Sequence, residues 1–91
     1  MADLATIELS EDGKTLKCRG AWDILHIDNL ASSWRKSAAK LGAVCYLDVA
    51  DLSVLDSTGA LQLHQMILAL TVGGRKPSLL NLSEQHASLF H

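Results

Sequence analysis

The chain has 91 residues, of which 48% are hydrophobic and only one is proline, so it is long enough for one core and too apolar to stay unfolded. A formal charge of −2, with no basic cluster on any predicted face, argues against a nucleic-acid partner. The longest apolar run, Met66 to Val72, is far shorter than a membrane span, so any link to a membrane would be indirect.

Leu4 to Leu9 reads as a strand with Ala5, Ile7 and Leu9 on one face. Ser10 to Lys14 is a turn whose Asp12-Gly13 pair is a hairpin signal. Thr15 to Arg19 returns as a second strand, with Leu16 and Cys18 inward. An antiparallel hairpin therefore opens the domain. Gly20-Ala21-Trp22-Asp23 is expected to leave the sheet and lead towards a helix. That helix carries Ile27, Leu30, Trp34, Ala38 and Leu41 as its buried stripe. Asp23 or Asp28 would cap it, and Gly42 stands where a left-handed C-terminal cap is expected. Arg35, Lys36 and Lys40 read as a solvated face on the favourable side of the helix dipole.

Val44 to Val49 is continuously apolar and reads as a central strand with no wet face. A short acidic loop would follow. A helix then runs from about Ser57 to Leu70, with Ala60, Leu63, Ile67 and Leu70 as its core stripe. Val72 to Lys76 is the turn out. Pro77 to Leu82 forms another strand, parallel to the buried one because a helix crosses between them. Ser83-Glu84-Gln85-His86 caps a last helix. Leu89 and Phe90 are apolar residues in a helix that has barely begun, so the chain is expected to be an N-terminal excerpt of a longer protein. Residues 1–91 form a single domain on this reading. The fold class is α/β, a mixed sheet of about four strands with helices packed on it.

Cys18 and Cys45 fall on separate strands without metal-type spacing, and both are expected to be reduced core residues. Met1 is followed by Asp3 rather than by a basic and apolar leader, so a cytoplasmic location is expected. The start of the second helix concentrates the interesting chemistry. Asp56 and Ser57 are both residue types that cap a first turn, and Gly59 lets something approach that turn closely. Asp48, Asp51 and Asp56 read as solvated or capping carboxylates rather than a metal cluster. His64, near the apolar stripe, is expected to be partly buried at a core edge or interface. Ser57 lies two turns from it on the same helix, so no Ser-His-Asp arrangement follows, and Gly73-Gly74 ends a helix instead of opening one around a phosphate. The expectation is a non-enzymatic protein with no cofactor and no metal. Trp34 fits the core stripe. Trp22 has two readings, core packing or an exposed interface anchor.

The element order and the run Leu55-Asp56-Ser57-Thr58-Gly59, with Gly20 to Asp23 after the hairpin and Leu47-Asp48 ending the buried strand, resemble the STAS domain. That family includes anti-sigma factor antagonists and cytoplasmic domains of sulphate transporters. The Gly20-Ala21-Trp22 turn, the Leu-rich first helix and the Ser83 to His86 start are most similar to STAS modules of lipid-asymmetry (toluene tolerance) ABC transporters. The resemblance implies docking on the transporter's ATPase subunit beside its permease, at the cytoplasmic face of the inner membrane. The contact surface would be Trp22, Asp23, Asp56, Ser57, Thr58, Gly59, Ala60, Leu61 and His64. In the sigma-regulating branch the position of Ser57 is a serine phosphorylated by an anti-sigma factor kinase, which makes Ser57 a phosphorylation candidate and that branch the alternative function. A lipid- or nucleotide-binding module, with the ligand between sheet and helices, is the third reading.

Overall fold

Hydrogen bonding sorts the chain into one mixed four-stranded sheet whose strands lie in chain order, β1-β2-β3-β4. The computed structural model describes residues 4–30 and 33–87. Its strands are β1 (Thr6–Leu9), β2 (Thr15–Trp22), β3 (Val44–Leu55) and β4 (Lys76–Leu80). β1 and β2 are antiparallel, whereas β2, β3 and β4 run parallel. A 3-10 turn (Ile27–Leu30) and helix α1 (Ser33–Ala38) cross from β2 to β3. Helix α2 (Ser57–Val72) crosses from β3 to β4, and the short α3 (Glu84–Ala87) follows. Both the fold class and the opening hairpin are as the sequence predicts. No helix among the described residues is long and apolar enough to cross a membrane.

Local chemistry explains the hairpin. Gly13 takes φ 70°, a left-handed value that costs glycine nothing. Asp12 Oδ1 accepts the Lys14 N–H at 3.0 Å, and the Ser10 N–H reaches the Thr15 carbonyl at 2.8 Å. Ala5, Leu16, Cys18, Cys45, Leu47 and Val49 then fill one face of the sheet, and all are buried. The predicted stripe Ile27, Leu30, Trp34, Ala38 and Leu41 packs onto it, although its path is a 3-10 turn and a separate α1 rather than one helix. Cys18 and Cys45 are free, buried thiols.

Several expectations need correction. Gly20-Ala21-Trp22 does not leave the sheet; it completes β2. Gly20 sits at a register shift with φ 87°, and a Cβ there would lie 2.0 Å from the Leu4 carbonyl oxygen. The glycine marks an irregularity inside a strand, not its end. The acidic loop is also strand. β3 runs on to Leu55 because the longer β2 supplies pairing partners as far as Trp22↔Leu55. Asp48 is therefore mid-strand. β3 is central, as expected, but one side of it is wet: Val44 and Ala50 are exposed, and Tyr46 and Asp48 are half-buried. The reason is that the buried side chains of the crossovers all meet the other face. The outward face carries polar pairs instead, including Arg19–Glu8 at 3.0 Å and Arg19–Asp51 at 3.5 Å.

Gly42 is not a left-handed cap; among the described glycines, positive φ occurs only at Gly13, Gly20 and Gly74. The end of α1 is instead held from outside. Arg75 Nε donates to the Leu41 carbonyl at 3.3 Å, and Gly42 N–H contacts the Gly13 carbonyl at 3.4 Å. On α2 Met66 is fully buried, as is Leu63, while Ile67 is half-buried. With Gly59, Ala60, Leu63 and Leu70, this rotates the core stripe slightly from the predicted one. β4 stops at Leu80, where Asn81 takes φ 63° and donates to Asp48 Oδ1 at 3.0 Å. Ser83 accepts the His86 N–H at 3.2 Å, the expected cap for α3. Leu89 and Phe90 lie outside the described residues.

Candidate docking rim at the start of helix α2

The C-terminal ends of β2 and β3 bring two chain turns side by side, and Asp56 joins them. Its backbone is extended, with φ −106° and ψ −174°, the conformation of a helix N-cap. Oδ1 accepts the Gly59 N–H at 2.9 Å, inside the first turn of α2. Oδ2 accepts the Ile24 N–H at 3.1 Å, across 32 residues of sequence. One carboxylate thus caps a helix and anchors the loop that follows β2. Its own N–H contacts the Trp22 carbonyl at 3.3 Å.

Asp23 organises that loop from within. Its Oδ1 accepts the Leu25 and His26 N–H groups at 3.1 and 3.0 Å and lies 2.7 Å from His26 Nδ1. The hydrogen bond with the imidazole is the main reason the Asp23 carboxyl is held below its usual value. Of the two cap candidates for the crossover, Asp23 binds the N–H groups of the turn that leads into it, ahead of the 3-10 turn rather than at a helix start.

Ser57 is the first helical residue and is exposed; the cap beside it is Asp56 alone. Among the described residues the Ser57 hydroxyl has no hydrogen-bond partner. Thr58 is half-buried, while Leu61 and His64 are exposed on the outer side of the helix. The expected partial burial of His64 is thus corrected: it projects away from the core stripe. Gly59 and Ala60 are buried and face the protein instead of a partner. What approaches Gly59 closely is Trp22, whose carbonyl oxygen would lie 1.8 Å from a Cβ placed there. Trp22 itself is 0% exposed, with its indole N–H donated to the Arg19 carbonyl at 3.1 Å. It supports the rim from behind, and the exposed-anchor reading fails.

The three aspartates do not converge. Asp48 binds Asn81 and the Ala50 N–H, Asp51 pairs with Arg19, and Asp56 serves the cap. Among the described residues no group of three or more His, Cys, Asp or Glu side chains is placed to hold a metal ion.

Sequence reasoning placed Leu61 on this rim but missed the other apolar residues. Ile24 and Leu25 are 68% and 82% exposed near the α2 start, and the predicted Leu61 is 55% exposed. Leu68, also 55% exposed, continues the line two turns on. The signal was present: Leu61 and Leu68 are seven residues apart and off the core stripe, and Ile24-Leu25 precede the first buried position of the crossover. A scan against protein-family models matches none of them, and a comparison with curated proteins returns no match.

Proposed function

We propose that this chain is a STAS-type docking and regulatory module of a lipid-type ABC transporter. It works without catalysis at the cytoplasmic face of the inner membrane, beside a permease, and its partner surface contacts the ATPase subunit. The observation that carries this reading is the rim itself. Exposed Ile24, Leu25 and Leu61 lie on the two segments that meet at Asp56, next to the exposed Ser57, and the two hydrogen bonds accepted by Asp56 hold Ile24 against the start of α2. A half-apolar patch on a rigid helix start suits a protein partner, since aliphatic anchors gain most when a partner excludes water from them. Asp23, Thr58 and His64 complete its edge, while Trp22, Gly59 and Ala60 shape it from beneath.

The test is co-purification of the intact transporter complex carrying Ser57→Glu or Leu61→Asp. Both substitutions alter exposed positions and leave the fold in place, so both should strip the module from the ATPase. An undiminished complex in both variants would sink the rim as the contact.

The alternative, an anti-sigma factor antagonist phosphorylated on Ser57, gains from one specific observation. Because Asp56 provides the cap, the Ser57 hydroxyl is free for a kinase. A phosphate there would meet the positive end of α2 but also the Asp56 carboxylate, turning a half-apolar surface anionic. Incubation with the cognate kinase and ATP should then add the mass of one phosphate, abolished in Ser57→Ala; no mass change excludes this alternative.

A further inference from the structure

The opposite end of α2 holds a second feature, independent of the rim. Where α1 and α2 terminate and β4 begins, the fold gathers Arg35, Lys36, Lys40, Arg75 and Lys76, which are five of the eight basic residues. The sequence shows no such cluster because a whole strand and a whole helix separate Lys40 from Arg75. Glu11 and Asp12 lie in the hairpin turn, whose Gly13 carbonyl accepts from the Gly42 N–H in the segment that follows α1. Asp23, Asp51 and Asp56 belong to the other end of the strands.

Within the basic end an open groove of about 320 Å³ runs between α1 and α2. Buried Trp34, Ala38 and Leu70 and exposed Ala39 and Ala69 line it, and the alanines are small side chains that leave the space unfilled. Arg35 and Arg75 stand over it, Arg35 with its guanidinium 5.5 Å from the Trp34 ring centroid. Arg75 is fixed in advance: Nε binds the Leu41 carbonyl and Nη2 reaches the Ala39 carbonyl at 3.5 Å. Among the described residues neither guanidinium is paired with a carboxylate. Two cations on an apolar trough, one of them preorganised, complement a ligand with an apolar body and an anionic head. The surrounding lysines would raise the local concentration of such an anion.

We infer that the α1–α2 groove is a binding site for a single-chain anionic amphiphile, an alkyl carboxylate or alkyl phosphate, with its chain along the apolar lining and its head between Arg35 and Arg75.

The experiment is a titration of the 15N-labelled protein with decyl phosphate below its micelle concentration, following the two indole N–H resonances. Saturable movement of the Trp34 resonance is expected, with Trp22, buried and bonded to Arg19, unmoved. Decanol, which lacks the charge, should bind about tenfold or more weakly, and inorganic phosphate should give no saturable shift. Arg35→Gln should weaken decyl phosphate binding by a similar factor. Ala69→Phe fills the trough from an exposed helix position and should abolish it, while the rest of the spectrum overlays the parent's. A Trp34 resonance that does not saturate, equal affinity for decanol, or full binding by Ala69→Phe would each overturn the site.

Discussion

Gly59→Ala sets two effects of opposite sign against each other. In an ordinary helix alanine is favoured over glycine by about 1 kcal/mol. Here the new Cβ would lie 1.8 Å from the Trp22 carbonyl oxygen, 2.7 Å from its carbon and 2.9 Å from the Trp22 Cβ, where contacts under 3.0 Å are essentially never seen. The obstacle is backbone of a paired strand, so the first turn of α2 must retreat by more than 1 Å. Overpacking of this kind costs about 1–3 kcal/mol, and the retreat also loosens the Asp56 cap, worth about 1 kcal/mol. Sterics therefore win, with a net loss of about 2 kcal/mol from a domain whose size suggests a total of about 5–14. Urea denaturation followed by circular dichroism would show it, as would a melting temperature lower by about 8–16 °C. Gly42→Ala is the control, because its Cβ would lie 3.9 Å from the nearest atom, the Val44 oxygen, and should stay within about 0.5 kcal/mol of the parent. A Gly59→Ala protein as stable as the parent would refute the close-approach argument.

Met66→Ala should cost about 2–5 kcal/mol by opening a cavity, and the half-buried Ile67→Ala clearly less; the reverse order in urea would restore the stripe read from sequence. Burial pushes the Cys18 thiol up to about 12, with the Asp48 charge adding to it, and burial raises Cys45 as well. Neither should react with a disulfide reagent at pH 8 until the protein is unfolded, and rapid labelling of the native state would contradict this. The Asp48 carboxyl is held below its ordinary value of about 3.9, chiefly by the Asn81 hydrogen bond and then by the Ala50 N–H. A lowered folded value means stability present above about pH 4 and lost as pH falls through it. Asp48→Asn keeps an acceptor oxygen but removes the titration, so its urea midpoint should fall less between pH 5 and pH 3 (roughly spanning the unfolded value). Parallel losses would refute the linkage.

Short-range signals in the chain read true. Asp12-Gly13 made the hairpin, the alternation of Leu16 and Cys18 pointed inward, and Ile27 through Leu41 marked the buried side of the crossover, because each depends on neighbours a few residues away. What failed depends on distant partners. The ends of β2 and β3 are strands only because they pair with each other, and nothing local tells Gly20 inside a strand from glycine leaving one. The wet face of β3 follows from where the crossovers pack, which no single strand encodes. At the rim, two adjacent capping residue types left the cap undecided between Asp56 and Ser57. Geometry chose Asp56, and with it the exposure of Ser57. Trp22 was undecided for a similar reason: only the closeness of Gly59 shows how completely α2 covers it.

Strand order that repeats chain order has a consequence for assembly. No strand has to be threaded between two that are already paired; each one joins the edge completed just before it, and each crossover lays its apolar side on sheet that already exists. The loops that must close are consequently those between successive strands, the shortest closures that pairing these strands allows. As the polypeptide leaves the ribosome, the hairpin has its partner first, β3 next and β4 last. The young sheet then grows in one direction only, away from β1, with each new strand pairing onto the one made just before it.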